Sequence, residues 1–172
     1  YDSVQFVVGN GLFNGVSDTT FQPSASMTRG MFVTVLARLA NADFATYTES
    51  PFHDTAISAW YGPAVAWAAE NEIVLGITDT TFEPDTTITR EQMASMLYRY
   101  ASFKQLSVTA SGDLNLFIDG DAVSTWAQEP MQWAIANGLI NGKGNQTLDP
   151  RGIATRAEVA AMIQKFCSNI AN

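Results

Sequence analysis

Three Thr-Arg pairs are the residues of this sequence whose types and spacing could do chemistry. They are Thr28-Arg29, Thr89-Arg90 and Thr155-Arg156. The Thr suits the N-cap of a helix, since its hydroxyl can accept a hydrogen bond from a backbone N–H of the first turn. An Arg directly after that cap lies at the positive end of the helix dipole, which is unfavourable for a cation. Its repetition at three equivalent places indicates that a negative group lies nearby.

Recognition of a carboxylate is the chemistry that this arrangement favours. Free N–H groups of a helix N-terminus, the helix dipole and a guanidinium fork together form a suitable receptor. The alternative is structural, with each Arg pairing with an internal carboxylate such as Asp54 or Asp119 and holding parts of the fold together. Both interpretations can hold if the Asp orients the Arg.

Further landmarks recur with the Thr-Arg pairs and divide the chain into three copies of one unit. The aligned sets are Gly15, Gly76 and Gly142; Phe21, Phe82 and Leu148; Pro23, Pro84 and Pro150; and, in copies 2 and 3 alone, Trp60 and Trp126. The expected copies are residues 1–45, 46–108 and 109–172. Copy 1 is incomplete at its front, because it lacks a counterpart of Phe52-His53-Asp54 and Phe117-Ile118-Asp119.

Each copy is typical of a helix, a loop and a second helix that begins at the Thr. Counted from the Thr, the fourth, seventh, eighth and eleventh residues that follow it are apolar in every copy. This spacing predicts one buried face of an amphipathic helix. They are Phe32, Val35, Leu36 and Leu39; Met93, Met96, Leu97 and Tyr100; and Val159, Met162, Ile163 and Phe166. A base near the end of each helix, namely Arg38, Arg99 or Lys165, suits its negative pole. Because two short helices cannot bury their own apolar faces, we expect the three copies to share one core and form one structural domain.

Aromatic and acidic residues beside the first helix have two possible roles each. Trp60 and Trp126 could lay a ring against the C–H groups of a sugar, or could fill the space between helices. Asp54 and Asp119 could accept hydrogen bonds from sugar hydroxyls, or could cap the element that follows, which is the commoner role.

Composition excludes several other classes of function. The 172 residues include 17 acids and 9 bases, and the net charge of −8 disfavours binding to nucleic acid or anionic lipid. No run of 18 apolar residues predicts membrane insertion. His53 and Cys167 are the single His and Cys, too few for a multi-His metal site or a Cys-His nucleophile. We expect no metal, no cofactor and no enzymatic activity.

The order of the motifs in copy 2 resembles the S-layer homology (SLH) module. It runs from Phe52-His53-Asp54 through Trp60, Gly76 and Asp79-Thr80-Thr81-Phe82-Glu83-Pro84 to Ile88-Thr89-Arg90-Glu91. Copy 3 ends its motif in Thr155-Arg156-Ala157-Glu158 but has Leu148 for the usual Phe. Copy 1 keeps only the Thr-Arg of its last motif. The resemblance covers almost the whole chain.

This resemblance implies an all-α, pseudo-threefold, three-pronged spindle of helix-loop-helix repeats around a central three-helix bundle. It implies binding of secondary cell-wall polysaccharide, often with pyruvylated N-acetylmannosamine, in grooves between the modules. A ketal-linked pyruvate presents the carboxylate that an Arg would bind. The module would anchor an exported protein outside the cell, at the bacterial wall or S-layer, as a monomer or a part of a larger surface protein. The alternative function is a protein–protein interaction module in which the Arg residues are structural struts.

The resemblance also implies which residues bind the ligand. The candidates are Arg29, Arg90, Arg156, Asp54, Asp119, Trp60, Trp126, Thr89 and Gly76. A threefold arrangement predicts that Arg29 faces Asp54 and Trp60, and that Arg90 faces Asp119 and Trp126. Arg156 would then lack both partners, so we expect at most two competent grooves. The groove of Arg90 is expected to bind best, because copy 2 has the fullest motif.

Overall fold

The computed structural model describes residues 2–14 and 20–171. Over these ranges the secondary structure is helical, with isolated bridges instead of strands, so the all-α prediction is confirmed. The α-helices are α1 Asp2–Gly9, α2 Arg29–Leu39, α3 Gly62–Glu70, α4 Arg90–Phe103, α5 Gln128–Ala136 and α6 Arg156–Asn169. Short 3-10 helices span Leu114–Leu116, Gly120–Ala122 and Thr125–Ala127. None of the described helices is both long and apolar enough to cross a membrane.

The longer helix of each copy begins where the sequence predicts, directly after the motif Thr. Thr28, Thr89 and Thr155 each accept a hydrogen bond from the backbone N–H three residues later. In α4 and α6 the side chain of that third residue returns a bond to the Thr backbone N–H, which completes a capping box. Copy 1 has Met31 there, which cannot accept such a bond.

The predicted apolar faces of α2, α4 and α6 are buried. Leu39 is partly buried and the other eleven predicted residues are buried, all in contact with one hydrophobic cluster. The rings of Tyr100 and Phe166 meet edge-to-face across α4 and α6, with centroids 5.8 Å apart. The three copies therefore share a core, as their short helices require.

Helix packing joins each copy to the next one along the chain. Helix α2 packs against α3, α4 against α5, and α6 against α1. The long helix of one copy thus contacts the short helix of the following copy, and α6 closes the cycle by contacting copy 1. A hydrogen bond of 2.6 Å from Ser3 Oγ to Gln164 Oε1 lies at this closure.

A ring of backbone hydrogen bonds lies at the centre of this cycle. The residues directly before the three Thr caps are Met27, Ile88 and Ala154. Met27 N–H donates to the carbonyl of Ala154 at 3.0 Å, Ala154 N–H donates to Ile88 at 3.0 Å, and Ile88 N–H donates to Met27 at 2.9 Å. These bonds fix the starts of the three Thr-headed helices relative to one another.

Candidate ligand-binding grooves

The first backbone N–H groups of the Thr-headed helices are occupied by the neighbouring copy. In α2, Arg29 N–H donates to the Thr86 carbonyl at 2.9 Å, and Gly30 N–H donates to the Pro84 carbonyl at 2.8 Å. The equivalent acceptors are Gly152 and Pro150 for α4, and Ala25 and Pro23 for α6. The hypothesis that these N–H groups are free to receive a carboxylate is therefore wrong. A helix end buried against a loop must satisfy its N–H groups there.

Two nitrogens of each motif Arg hold the same neighbouring loop. Arg29 Nε donates to the Phe82 carbonyl at 2.8 Å and its Nη2 donates to the Leu75 carbonyl at 3.3 Å. The corresponding acceptors are Leu148 and Asn141 for Arg90, and Phe21 and Asn14 for Arg156, at 2.7–2.8 Å. The Arg residues are thus struts between copies, with backbone carbonyls as their partners.

The remaining nitrogen, Nη1, distinguishes the three Arg residues. Arg90 Nη1 forms an ion pair with Glu158 Oε1 at 3.2 Å. Nη1 of Arg29 and Nη1 of Arg156 have no partner among the described residues. Every fully buried side-chain nitrogen of the described residues has a partner, so Arg29 Nη1, which has none there, is at least partly exposed to solvent.

Burial perturbs the guanidinium groups without discharging them at neutral pH. Burial lowers the pKa of Arg29 to about 10, while the charges of Glu83 and Asp54 oppose that shift. Arg29 Cζ lies 4.4 Å from the centroid of the Phe82 ring, and Arg156 Cζ lies 4.5 Å from that of Phe21. Arg29 therefore remains a cation at neutral pH, and both guanidinium groups rest on an aromatic face.

Asp54 and Asp119 bind backbone N–H groups of the loop that the Arg residues also bind. Asp54 accepts from Phe82 N–H at 2.9 Å and from Glu83 N–H at 2.7 Å. Asp119 accepts equivalent bonds from the N–H groups of Leu148 and Asp149. Burial alone raises the pKa of each carboxyl, but these bonds outweigh it and the net pKa is lowered. The two Asp residues thus brace a distant loop. The prediction that they cap the element that follows is wrong: Asp119 directly precedes Gly120–Ala122 but makes no side-chain cap bond to it.

Two other predicted site residues also have structural tasks. Thr89 Oγ1 is the N-cap acceptor of α4. Gly76 lies where a Cβ would come within 2.0 Å of the Thr78 carbonyl oxygen, so a larger residue would displace the loop. Gly15, its counterpart in copy 1, lies outside the described residues.

The groove that contains Arg29 is formed by three copies and has a volume of about 370 Å³. We call it the Arg29 groove. Its lining residues are Arg29 from copy 1; Leu75, Gly76, Ile77, Gln92, Ser95, Met96 and Arg99 from copy 2; and Trp126 from copy 3. Trp126 is 53% exposed, so its indole face is available to a ligand.

An equivalent groove contains Arg156 and has a volume of about 400 Å³. Its residues include Arg156 from copy 3, Met31, Thr34 and Arg38 from α2, and Trp60 from copy 2. We call it the Arg156 groove. Trp60, which is 60% exposed, therefore lines the groove of Arg156 and not that of Arg29.

The predicted tryptophan pairing is wrong by one copy, whereas the Asp pairing agrees with the electrostatics. Asp54 acts on Arg29 and Asp119 acts on Arg90. Among the described residues no carboxylate acts on the pKa of Arg156, which burial lowers. In the cyclic order of the copies, the tryptophan belongs to the second copy after the one that contributes the Arg, because each of these two grooves spans three copies.

The site around Arg90 differs from both of these grooves, and we call it the Arg90 groove. Glu158 Oε1 lies 3.2 Å from Arg90 Nη1 and 3.6 Å from Lys143 Nζ. Lys143 Nζ also lies 3.2 Å from Asp149 Oδ2. By the same spacing its tryptophan would come from copy 1, but the four tryptophans of this chain are Trp60, Trp67, Trp126 and Trp133. Residues 1–45 therefore contribute no tryptophan to the Arg90 groove.

Arg99 is the groove residue that sequence reasoning assigned to another task. Of the three equivalent bases, Arg38 donates to the Leu12 carbonyl at 3.1 Å and Lys165 donates to the Gly138 carbonyl at 3.0 Å. Arg99 has no hydrogen bond or ion pair with the described residues. Because α4 and α6 extend well past Arg99 and Lys165, neither base lies in the last turn of its helix. The sequence signal that could have pointed to Arg99 as a groove residue is the base that recurs nine residues after each motif Arg.

The described residues contain no group of three or more His, Cys, Asp or Glu side chains that could hold a metal ion. Trp67 in α3 and Trp133 in α5 are buried and belong to the core. The polar side chains that line the Arg29 and Arg156 grooves carry guanidinium, indole, hydroxyl and amide groups.

Comparison with known proteins gives the family of the chain. The family model described as S-layer homology domain matches residues 1–30, 51–94 and 117–160. Exoglucanase XynX of Acetivibrio thermocellus is 31% identical over 166 residues, which cover 94% of this chain and 15% of that protein. The surface-layer 125 kDa protein of Lysinibacillus sphaericus is 28% identical over 172 residues, covering 98% of this chain and 14% of that protein.

A third relative is the cellulosome-anchoring protein of Acetivibrio thermocellus, which is 28% identical over 148 residues. That match covers 84% of this chain and 33% of the relative, so the chain spans a third or less of these three proteins. The family and these relatives identify a cell-surface anchoring module with an extracellular location at the cell wall or S-layer. With three tandem matches, the first of them incomplete, the chain belongs to the S-layer homology domain family.

Proposed function

We propose that this module anchors by binding an acidic secondary cell-wall polysaccharide, with a pyruvylated amino sugar held in the Arg29 groove. The observation that carries the proposal is the meeting of two available guanidinium groups and one exposed indole. Arg29 has its Nη1 free, Arg99 has no partner in the described chain, and Trp126 is 53% exposed. All three line the same groove.

These groups suit the two parts of a pyruvylated sugar. A carboxylate between two guanidinium groups gains charge-assisted hydrogen bonds, which are stronger than neutral ones. The indole offers an apolar face to the sugar C–H groups and an N–H donor at its edge. Arg29 contributes a fixed donor because its other nitrogens hold carbonyls, while no hydrogen bond within the described residues holds Arg99.

The Arg156 groove is proposed as a weaker site. Arg156 Nη1 has no partner among the described residues and Trp60 is exposed, but one N–H of Arg38 is taken up by the Leu12 carbonyl and is not available to a ligand. With the Arg90 groove neutralised by Glu158, this leaves at most two competent grooves. The expected ranking of the sites thus begins with Arg29 instead of Arg90.

The proposed role is non-catalytic, and the proposed modules are residues 1–45, 46–108 and 109–172. The module would act as a monomer or as a part of a larger surface protein. A protein–protein interaction module is the second candidate, favoured by the use of the Arg residues as struts between copies. A wall hydrolase would release reducing sugar from purified walls, and such release would contradict the non-catalytic proposal.

Co-sedimentation with cell-wall sacculi tests the proposal. The chain should sediment with intact sacculi and remain in the supernatant after acid has removed the wall polymer. Trp126→Ala and Arg99→Ala should each reduce the sedimented fraction several-fold, since neither side chain is a strut. Trp60→Ala is the matched control and should reduce it less. Equal sedimentation with stripped sacculi, or wild-type binding by both groove variants, would show that the Arg29 groove does not bind the polymer.

A further inference from the structure

The third residue of each Thr-headed helix differs among the three copies. It is Met31 in α2, Gln92 in α4 and Glu158 in α6. Each of these residues lies beside the Arg that the preceding copy contributes in the cyclic order. Gln92 lines the groove with Arg29, Met31 lines the groove with Arg156, and Glu158 contacts Arg90.

Glu158 places a carboxylate of the chain itself on Arg90 Nη1, the nitrogen that has no partner among the described residues in Arg29 and Arg156. Its Oε1 lies 3.2 Å from Arg90 Nη1 and 3.6 Å from Lys143 Nζ. Its Oε2 accepts from the Thr155 N–H at 2.8 Å and from the Thr155 hydroxyl at 3.0 Å. The carboxylate is thereby fixed from both sides, and it neutralises the guanidinium where an acidic ligand would bind.

Gln92 completes the capping box of α4 as Glu158 completes that of α6, but its side chain is neutral. Its Oε1 accepts from the Thr89 N–H at 3.1 Å, as Glu158 Oε2 does in α6. A capping box accepts Gln or Glu at this position. Exchange of the two residues should therefore preserve both helix caps, while it changes the charge beside Arg29 or Arg90.

We propose that this position determines which grooves accept an acidic saccharide. Glu158 closes the Arg90 groove by acting as an internal substitute for the ligand carboxylate, and Gln92 leaves the Arg29 groove open. This inference rests on the proposed function, because it concerns the same class of ligand. The competing interpretation is that Glu158 is a helix cap and a strut with no effect on binding.

Reciprocal exchange tests the inference with Gln92→Glu and Glu158→Gln. The probe is the methyl glycoside of pyruvate-ketal N-acetylmannosamine, titrated by calorimetry, with the glycoside that lacks the ketal as the neutral control. Gln92→Glu should weaken the strongest site by about tenfold or more, the usual scale for losing a charge-assisted bond. Glu158→Gln should add one site to the wild-type stoichiometry. The added site should be weaker than the first, because it has no tryptophan wall.

Backbone amide chemical shifts measured by NMR during the titration locate the added site. The Lys143 amide should shift with added probe in Glu158→Gln and not in wild type. Thermal unfolding establishes that each variant is folded. Wild-type binding together with unchanged titrations in both variants would overturn this inference and leave the proposed function intact. A wild type and variants that all fail to bind the probe would overturn both. A new site whose shifts map away from Arg90 and Lys143 would also overturn the inference.

Discussion

Glu91 accepts two hydrogen bonds from Ser124, one from its N–H and one from its hydroxyl, both at 2.9 Å. Glu91 is buried on α4, and Ser124 directly precedes the Thr125–Ala127 turn that carries Trp126. The contact therefore joins the long helix of copy 2 to the tryptophan of copy 3, at the edge of the Arg29 groove. Gly30, the counterpart of Glu91 in copy 1, has no side chain to hold the turn before Trp60 in this way.

Glu91→Ala should loosen Trp126 and weaken binding in the Arg29 groove. Loss of the carboxylate leaves two Ser124 donors without their acceptor, and we expect destabilisation of about 1–3 kcal/mol in urea unfolding. Affinity for the pyruvate-ketal glycoside should fall, while binding in the Arg156 groove is unchanged. Ser124→Ala is the milder control, because the backbone N–H can still donate to Glu91. Unchanged affinity in a folded Glu91→Ala variant would contradict a positioning role.

Leu97→Ala should destabilise the protein by about 2–5 kcal/mol, since it removes a fully buried side chain from the shared core and leaves a cavity. The measurement is the urea unfolding midpoint together with its slope. Leu116→Ala is the matched control, because Leu116 is 66% exposed and its truncation should change stability by about 0.5 kcal/mol or less. Equal effects of the two truncations would argue against a common core around α4.

Arg29→Lys and Arg90→Lys should differ in their effect on binding. Lys lacks the planar fork, so neither variant can hold two loop carbonyls as the Arg does, and both should lower the unfolding midpoint. Arg29→Lys should also reduce sedimentation with sacculi. Arg90→Lys should not, because Arg90 already forms an ion pair with Glu158. A larger binding defect in Arg90→Lys than in Arg29→Lys would restore the ranking expected from motif completeness.

Acid should destabilise the protein through Asp54 and Asp119. Hydrogen bonds from loop N–H groups lower the pKa of both carboxyls below their ordinary value of 3.8, despite the opposing effect of burial. Because the folded state favours the ionised forms, their contribution is complete above pH 3.8 and is lost as pH falls through the lowered pKa values. The unfolding midpoint of Asp54→Asn combined with Asp119→Asn should respond less to acid than that of wild type.

The exposed loop residue Asp79 provides the control for this experiment. Asp79→Asn should keep the wild-type response of the unfolding midpoint between neutral pH and pH 2.5. An identical acid response in the double variant and the wild type would mean that other groups determine acid stability.

Local patterns in the sequence determined the repeat, the helices and the buried faces. The Thr caps and the apolar spacing after them act within a few turns of one helix. The residues of each copy therefore suffice to predict its own long helix, which is α2, α4 or α6. The three Thr-Arg pairs also indicated residues at which neighbouring copies meet. These signals depend on residues close in the chain, which is why they could be read without knowledge of the neighbouring copies.

The pairing of groove residues was decided by tertiary structure alone. The Arg29 and Arg156 grooves each combine an Arg, a helix face and a tryptophan from three different copies, and the order in which copies meet depends on cyclic packing of α6 against α1. The same packing occupies the helix N-terminal N–H groups, leaves Arg99 without a partner among residues 2–14 and 20–171, and brings Glu158 onto Arg90. These outcomes arise from contacts between segments distant in sequence, because a donor or a charge becomes available to a ligand only after the neighbouring copy has taken its own hydrogen bonds.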